Sequence, residues 1–84
     1  MSSFDFFAFF GQAAFEVSGK RFENLDRATV IADLGLDSVA LIELVGYLEE
    51  KLQIRIPDEE LADVQTLGDL NDIVSQFIAA KDQS

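Results

Sequence analysis

The stretch Asp33-Leu34-Gly35-Leu36-Asp37-Ser38-Val39 lies near the middle of the 84-residue chain and joins an irregular segment to the most regular one. From Ser38 to about Leu52, leucine and valine recur with the spacing of an amphipathic helix and form one apolar stripe. Aspartate or serine directly before such a stripe is typical of a helix N-terminus. The stretch therefore predicts a helix from about Ser38 to Leu52, with Asp37 or Ser38 as its cap.

Three further helices are predicted from the same kind of pattern. They run from about Phe4 to Glu16, from Asp58 to about Asp63, and from about Leu67 to Ala80. Ser2 or Ser3 is a candidate cap for the first helix, and Thr66 with Asp69 resembles a capping box for the last. The predicted fold is all-α, a small bundle with three longer helices and one short helix.

A long connection, from about Ser18 to Leu36, separates the first two predicted helices. Single apolar residues are spaced along it, which predicts that it lies across the core rather than moving freely. No repeat or linker divides the chain, so residues 1–84 are expected to form a single domain. The initial methionine favours a whole protein over a domain excised from a longer one.

The first predicted helix contains five phenylalanines between Phe4 and Phe10. Phe6 and Phe10 share one face of the helix, whereas Phe4 and Phe7 fall on another. A single buried stripe does not need so many aromatic residues. Two interpretations stay open: the long loop covers the second face, or that face binds a partner or forms a lid over an apolar chain.

The composition excludes several classes of function. The chain has 16 acidic and 6 basic residues, and a net charge of −10 disfavours nucleic acids and anionic membranes and favours a monomer. Cysteine and histidine are both absent, which excludes disulfides, thiolate metal sites and histidine-based triads. We therefore expect a protein that is not an enzyme. The absence of a positively charged stretch before the N-terminal apolar residues predicts a cytoplasmic location.

A cluster of acids follows Pro57 and raises the question of a metal site. It consists of Asp58, Glu59, Glu60 and Asp63. These residues lack the alternating ligands and the central glycine of a calcium-binding loop. We expect no metal here, since runs of charge usually form solvated faces.

The outer face of the second helix mixes apolar and acidic residues. It consists of Val39, Ile42, Glu43, Gly46, Glu49 and Glu50. Apolar residues inside an anionic rim are typical of a contact surface, although scattered surface apolar residues are also common. Gly46 costs about 1 kcal/mol relative to alanine inside a helix, which suggests that something approaches closely there.

Ser38 has no histidine or lysine near it in the sequence, so nothing in the chain activates it as a nucleophile. If Ser38 is functional, another protein must activate it. The N-terminus of a helix is a favourable place for a phosphoester, because its N–H groups and dipole stabilise negative charge.

The chain resembles the acyl carrier protein family between about Val30 and Val74. The resemblance is carried by Asp33 to Val39, by Ile42-Glu43-Leu44, by Leu48-Glu49-Glu50 and by Ile54 to Glu60. It implies a 4′-phosphopantetheine covalently attached to Ser38, which a phosphopantetheinyl transferase installs from coenzyme A. The thiol of this arm would carry acyl groups as thioesters between enzymes.

The resemblance also implies how other proteins recognise the chain. The implied recognition residues are Asp37, Val39, Glu43, Glu49 and Glu50, with Asp58 and Glu59 at the rim. They would meet basic patches on acyltransferase-type or ketosynthase-type enzymes in fast, exchangeable contacts. The implied shelter for the acyl chain consists of Ile42, Leu48, Ile56 and Leu61.

Three residues depart from the pattern of fatty acid carriers. Val39 replaces the usual leucine, Ala40 stands where an acid is frequent, and Gly46 replaces a bulky apolar residue. These departures favour polyketide or another specialised biosynthesis over housekeeping fatty acid biosynthesis. An aminoacyl or peptidyl carrier is an alternative, although Leu36-Asp37 replaces its usual Gly-Gly-x pattern. A further alternative is an unmodified acidic interaction module in which Ser38 only caps the helix.

Overall fold

The computed structural model describes residues 5–82 and contains four α-helices and one short 3₁₀ helix. The α-helices are α1 (Phe6–Ser18), α2 (Ser38–Leu52), α3 (Asp58–Leu61) and α4 (Leu67–Asp82), and the 3₁₀ helix spans Ile31–Leu34. The prediction of three longer helices and one short one, with a long loop between the first two, is confirmed. Between residues 5 and 82, the only extended pairing is an isolated bridge between Val30 and Thr66.

Helix α1 begins and ends two residues later than predicted. Its cap is Asp5, whose Oδ1 accepts a hydrogen bond from the Ala8 N–H at 3.3 Å. The prediction of a serine cap is therefore wrong, and Ser2 and Ser3 themselves lie outside the described residues. At the other end, Gly19 adopts a left-handed conformation with φ of 77° and donates its N–H to the Phe15 carbonyl at 2.8 Å.

The core lies between α1, α2 and α4, and α1 packs directly against α2. The buried apolar side chains are Phe6, Phe10, Ala13, Ala14, Ile31, Leu44, Val45, Leu48, Ile56, Leu67, Leu70 and Val74. Each large side chain among them stabilises the fold by roughly 1.5–3 kcal/mol relative to an exposed position. Only Ile31 and Ile56 of this set lie outside the α-helices, so the α-helices carry most of the burial.

The long loop is fixed to the start of α4, as the spaced apolar residues predict. Three backbone hydrogen bonds join the two segments: Ile31 N to Gln65 O at 2.9 Å, Leu67 N to Thr29 O at 2.9 Å, and Gly68 N to Arg27 O at 3.1 Å. A Cβ atom at Gly68 would lie 2.9 Å from the Arg27 carbonyl oxygen. The close approach of these two backbones therefore requires glycine at position 68.

Polar groups at the start of α4 complete this junction. Asp69 Oδ2 accepts the N–H groups of Gln65 and Thr66 at 3.1 and 3.2 Å, and Thr66 Oγ1 accepts the Asp69 N–H at 3.1 Å. The predicted capping box is therefore present. The two backbone hydrogen bonds hold the pKa of Asp69 below its usual value. Arg27 binds both carboxylate oxygens of Asp72, at 3.1 and 3.0 Å, and lowers the pKa of Asp72 in the same way.

Helix α3 is a single turn and ends at Leu61, before the predicted end at Asp63. A turn follows in which the Val64 N–H bonds to the Leu61 carbonyl at 3.1 Å. This turn keeps Leu61 and Val64 half-buried against the core. Over the described range, 5–82, no helix is both long and apolar enough to cross a membrane.

Candidate functional site

Ser38 is the first residue of α2 and is exposed, but it does not cap the helix. The cap is Asp37, whose Oδ1 accepts the Ala40 N–H at 2.7 Å. Among the described residues, the hydroxyl of Ser38 has no hydrogen-bond partner. The interpretation of Ser38 as a helix cap is therefore wrong, and its hydroxyl is available at the positive end of the α2 dipole.

The segment before Ser38 is held at two points. Ile31, at the start of the 3₁₀ helix, is buried in the core. Gly35 ends that helix with φ of 75°, and its carbonyl accepts a hydrogen bond from Lys20 Nζ at 3.3 Å. Glycine is favoured at this left-handed position. These anchors place Asp37 at the N-terminal end of α2 and leave Ser38 at the surface.

An exposed apolar pair lies on α2 close to Ser38. Val39 is 64% exposed and Ile42 is 71% exposed. The predicted recognition acids Glu43, Glu50, Asp58 and Glu59 are also exposed, on α2 and in the first turn of α3. The described structure thus has the apolar centre and acidic surroundings that the sequence predicts. The role of these residues in binding partners stays a prediction.

Glu49 differs from the other predicted recognition acids. It is half-buried, and its Oε2 accepts the N–H of Ile56 at 2.7 Å. A charged acceptor makes this a strong hydrogen bond, and it ties α2 to the connection that leads into α3. The sequence does not reveal this contact, because the two residues are seven positions apart across a turn and no local pattern marks it.

A groove of about 580 Å³ opens between α2, the connection after it and α3. Three of the four residues implied as an acyl shelter line it, namely Ile42, Ile56 and Leu61. The fourth implied residue, Leu48, is 0% exposed, lies in the core and does not line the groove. Leu48 belongs to the inner stripe of α2, which faces the other helices rather than the groove.

Gly46 and Arg55 also line this groove. A Cβ atom at Gly46 would meet nothing within 4 Å, so no other part of the chain approaches this glycine. The close approach expected at Gly46 is therefore not made within the described chain. Arg55 was not singled out from the sequence, because nothing in its local pattern shows that it faces a groove.

A second groove, of about 710 Å³, lies between α1 and the long loop. Phe7 and Phe15 of α1 and Phe22 and Leu25 of the loop contribute to its walls. Phe7 is half-buried and its ring lies edge-on to Phe6, with 5.8 Å between centroids. The loop therefore covers part of the second aromatic face of α1. Phe4 lies outside the described residues.

The acids after Pro57 do not converge. Between residues 5 and 82, no three acidic side chains come close enough to hold a metal ion together. Asp58, Glu59 and Glu60 are all exposed.

Comparisons with known proteins identify the family. Residues 16–74 match the family model described as "Phosphopantetheine attachment site". The chain is also 37% identical over 67 residues to the probable acyl carrier protein of Caulobacter vibrioides, covering 80% of this chain and 78% of that one. The chain belongs to the acyl carrier protein family. This membership confirms the family predicted from the sequence.

Other acyl carrier proteins match shorter stretches. The acyl carrier protein of Wolinella succinogenes is 47% identical over 48 residues, which cover 57% of this chain and 63% of that protein. The acyl carrier protein of Clostridium perfringens is 41% identical over 49 residues, or 58% of this chain and 64% of that one. The matched region thus spans slightly less than two thirds of the length of these relatives.

Solved acyl carrier proteins share the fold. The crystal structure of the Thermotoga maritima protein superposes with a TM-score of 0.80 at 36% identity, covering 87% of this chain and 86% of that one. The solution structure of the holo protein from Geobacter metallireducens also has a TM-score of 0.80, at 26% identity, covering 92% and 90%. The all-α fold predicted from the sequence is therefore that of the family.

The cofactor of this family is a covalent 4′-phosphopantetheine, as predicted. The residues around Ser38 fit such a group. The hydroxyl of Ser38 is exposed and does not serve as a cap, and the dipole of α2 favours a phosphodiester at this end. Val39 and Ile42 offer exposed apolar surface for the arm close by, and Gly46 leaves open space in the groove.

Proposed function

We propose that this protein carries acyl groups as thioesters on a 4′-phosphopantetheine arm attached to Ser38, for enzymes of fatty acid or polyketide biosynthesis. One observation supports this most directly. Asp37 supplies the cap of α2, so the exposed hydroxyl of Ser38 has no structural task at the helix end. A hydroxyl in that position is accessible to an enzyme that modifies it.

In the proposed attachment, Ser38 Oγ forms a bond to the phosphorus next to the pantetheine of coenzyme A. The bond from that phosphorus to the bridging oxygen breaks, and adenosine 3′,5′-bisphosphate leaves. The proton of the hydroxyl passes to the transferase in this proposal, since no described side chain is hydrogen-bonded to the hydroxyl of Ser38 and Asp37 is engaged by the Ala40 N–H. The N-terminal dipole of α2 stabilises the phosphodiester that results.

Once attached, the arm supplies the thiol that a chain without cysteine lacks. A tether of this kind raises the effective concentration of the acyl group at whichever active site the protein docks on. The catalysis itself is left to the docked enzyme. The sequence is consistent with this division, since it has neither a thiol nor an imidazole of its own.

The proposed docking surface consists of the exposed apolar pair on α2 and the acids around it. Val39 and Ile42 would form its centre, and Glu43, Glu50, Asp58 and Glu59 would meet basic patches on the transferase and the biosynthetic enzymes. Such contacts are fast and exchangeable, which suits a carrier that visits several partners. We take the protein to act as a cytoplasmic monomer, since a net charge of −10 opposes self-association.

The test is phosphopantetheinylation in vitro. The purified protein is incubated with coenzyme A and a broad-specificity phosphopantetheinyl transferase, and the intact mass is measured. We expect the wild type to gain one phosphopantetheinyl group and Ser38→Ala to gain none. Ser75→Ala is the matched control, since Ser75 is an exposed serine on α4. No gain by the folded wild type, or an equal gain by Ser38→Ala, would overturn the proposal.

A further inference from the structure

Arg55 lines the groove between α2 and α3 and is the one cation in the described chain without a contact of its own. The other basic residues all have one. Lys20 binds the Gly35 carbonyl, Arg21 lies over Phe15, Arg27 pairs with Asp72, Lys51 lies over Tyr47, and Lys81 binds the Leu52 carbonyl. Among residues 5–82, Arg55 has no hydrogen bond, ion pair or ring contact, so its guanidinium donors are available to a bound group.

The groove around Arg55 is apolar on its walls and mixed in charge. Ile42, Ile56 and Leu61 provide apolar surface, and two acids, Glu49 and Asp58, line the same groove. One carboxylate oxygen of Glu49 is already engaged by the Ile56 N–H at 2.7 Å. The charged side chains lining the groove are therefore one cation and two anions, so the groove is not a general anion site.

These charges discriminate between kinds of acyl chain. A plain hydrocarbon chain would fill the groove but would offer no acceptor to the guanidinium of Arg55, which is an exposed residue at the groove's edge. A chain ending in a carboxylate would be attracted by Arg55 but repelled by Glu49 and Asp58. A neutral carbonyl oxygen accepts hydrogen bonds from the guanidinium and meets no such repulsion.

We infer that the groove takes a tethered acyl chain bearing a neutral oxygen, such as a keto group, and that Arg55 distinguishes this chain from a plain hydrocarbon. The inference rests on the proposed function, because the arm on Ser38 is what brings the chain to the groove. It adds the chemical class of the cargo and the residue that selects it. The open space at Gly46 gives the chain room beside α2.

The test loads three chains of equal length on the arm. The transferase moves the acylated phosphopantetheine from octanoyl-, 5-oxooctanoyl- or suberoyl-coenzyme A to the oxygen of Ser38, and adenosine 3′,5′-bisphosphate leaves. Wild type, Arg55→Leu and Arg21→Leu are each loaded, and the intact mass confirms one group per chain. Arg21 is the matched control, because it lines the other groove and the substitution changes the net charge equally.

The readout is the melting temperature of each loaded protein. We expect Arg55→Leu to lower the Tm of the 5-oxooctanoyl form by about 4 °C more than that of the octanoyl form, as one hydrogen bond at an exposed position of a small domain would do. Arg21→Leu should change the Tm of the octanoyl and 5-oxooctanoyl forms by the same amount. The expected effect of Arg55→Leu on the suberoyl form is smaller than on the 5-oxooctanoyl form.

Two results would overturn the inference. If Arg55→Leu lowers the Tm of the octanoyl and 5-oxooctanoyl forms equally, Arg55 does not bind the keto oxygen. If it lowers the Tm of the suberoyl form more than that of the 5-oxooctanoyl form, the groove binds carboxylates instead. Neither result touches the loading of the arm itself, which the intact mass measures in the same samples. A wild type that accepts no arm would instead remove the proposed function and this inference with it.

Discussion

The hydrogen bond from the Ile56 N–H to Glu49 gives a sharp prediction, since it joins α2 to the start of α3. We consider Glu49→Ala, which removes the acceptor and leaves the N–H of a buried residue, Ile56 being 4% exposed. A hydrogen bond to a charged group contributes about 1.5–3 kcal/mol, and the 2.7 Å distance and half-buried carboxylate place this one near 2 kcal/mol.

Glu50→Ala is the matched control. Glu50 is the next residue on the same helix, it is exposed, and its substitution makes the same change in helix propensity and net charge. The difference between the two variants therefore isolates the hydrogen bond to Ile56. Glu49→Gln keeps a neutral hydrogen-bond acceptor, so its free energy of unfolding should fall by roughly half as much as that of Glu49→Ala.

The assay is urea unfolding followed by circular dichroism. With an m-value of about 1 kcal/mol/M for a small domain, Glu49→Ala should unfold at roughly 2 M less urea than Glu50→Ala. Amide hydrogen exchange should show faster exchange at Ile56 in Glu49→Ala alone. Equal midpoints for the two variants would refute the reasoning, and Glu49 would then return to the set of free recognition acids.

Three further predictions concern the helix ends and the glycines. Asp37→Ala should lower the free energy of unfolding by about 1 kcal/mol and Ser38→Ala by less than about 0.5 kcal/mol, measured by thermal unfolding; the reverse order would make Ser38 the cap. Gly68→Ala should lower the free energy of unfolding by about 1–2 kcal/mol, because the added Cβ clashes with the long loop. Gly46→Ala should raise the free energy of unfolding by up to about 1 kcal/mol. Stabilisation by both substitutions would contradict the close approach at Gly68. The pKa of Asp69 is lower in the folded state than in the unfolded state. The carboxylate of Asp69 therefore stabilises the fold fully at pH values above the unfolded-state pKa. This stabilisation is lost as the pH falls through the folded-state pKa. The stability gap between wild type and Asp69→Asn in urea titrations should therefore close below about pH 4, and a gap independent of pH would contradict the role of the carboxylate.

The sequence predicted best those features that depend on neighbouring residues. Both ends of α2 were predicted correctly, because a strong apolar stripe follows a capping residue and ends where the stripe ends. The start of α4 was predicted for the same reason, since Thr66 and Asp69 form their capping box within one helical turn. These are local interactions, so the pattern of residues determines them.

Where several residues compete for one local role, the sequence could not rank them. Ser2, Ser3 and Asp5 are all acceptable caps near the start of α1, and Asp37 and Ser38 compete in the same way at α2. The packing of each helix against the core decides where its first turn begins. That choice matters at α2, because it decides whether Ser38 has a structural role.

The complete lining of the groove between α2 and α3 could not be predicted from the sequence, because it depends on how segments that are distant in the chain pack together. The helical period does separate Leu48, on the inner stripe of α2, from Ile42, on its outer face. Arg55 faces the groove, and Glu49 reaches the Ile56 N–H, only because the connection after α2 folds back over it. No periodicity within one helix contains that information.

The claim on which the account depends most is that Ser38 carries the arm. Trypsin should release the fragment from Ala28 to Lys51, in which Ser38 is the only serine. Tandem mass spectrometry of this fragment, taken from protein purified out of the cells that naturally express it, should place one phosphopantetheinyl group on Ser38. An unmodified fragment throughout, or a group located on any other residue, would contradict the account.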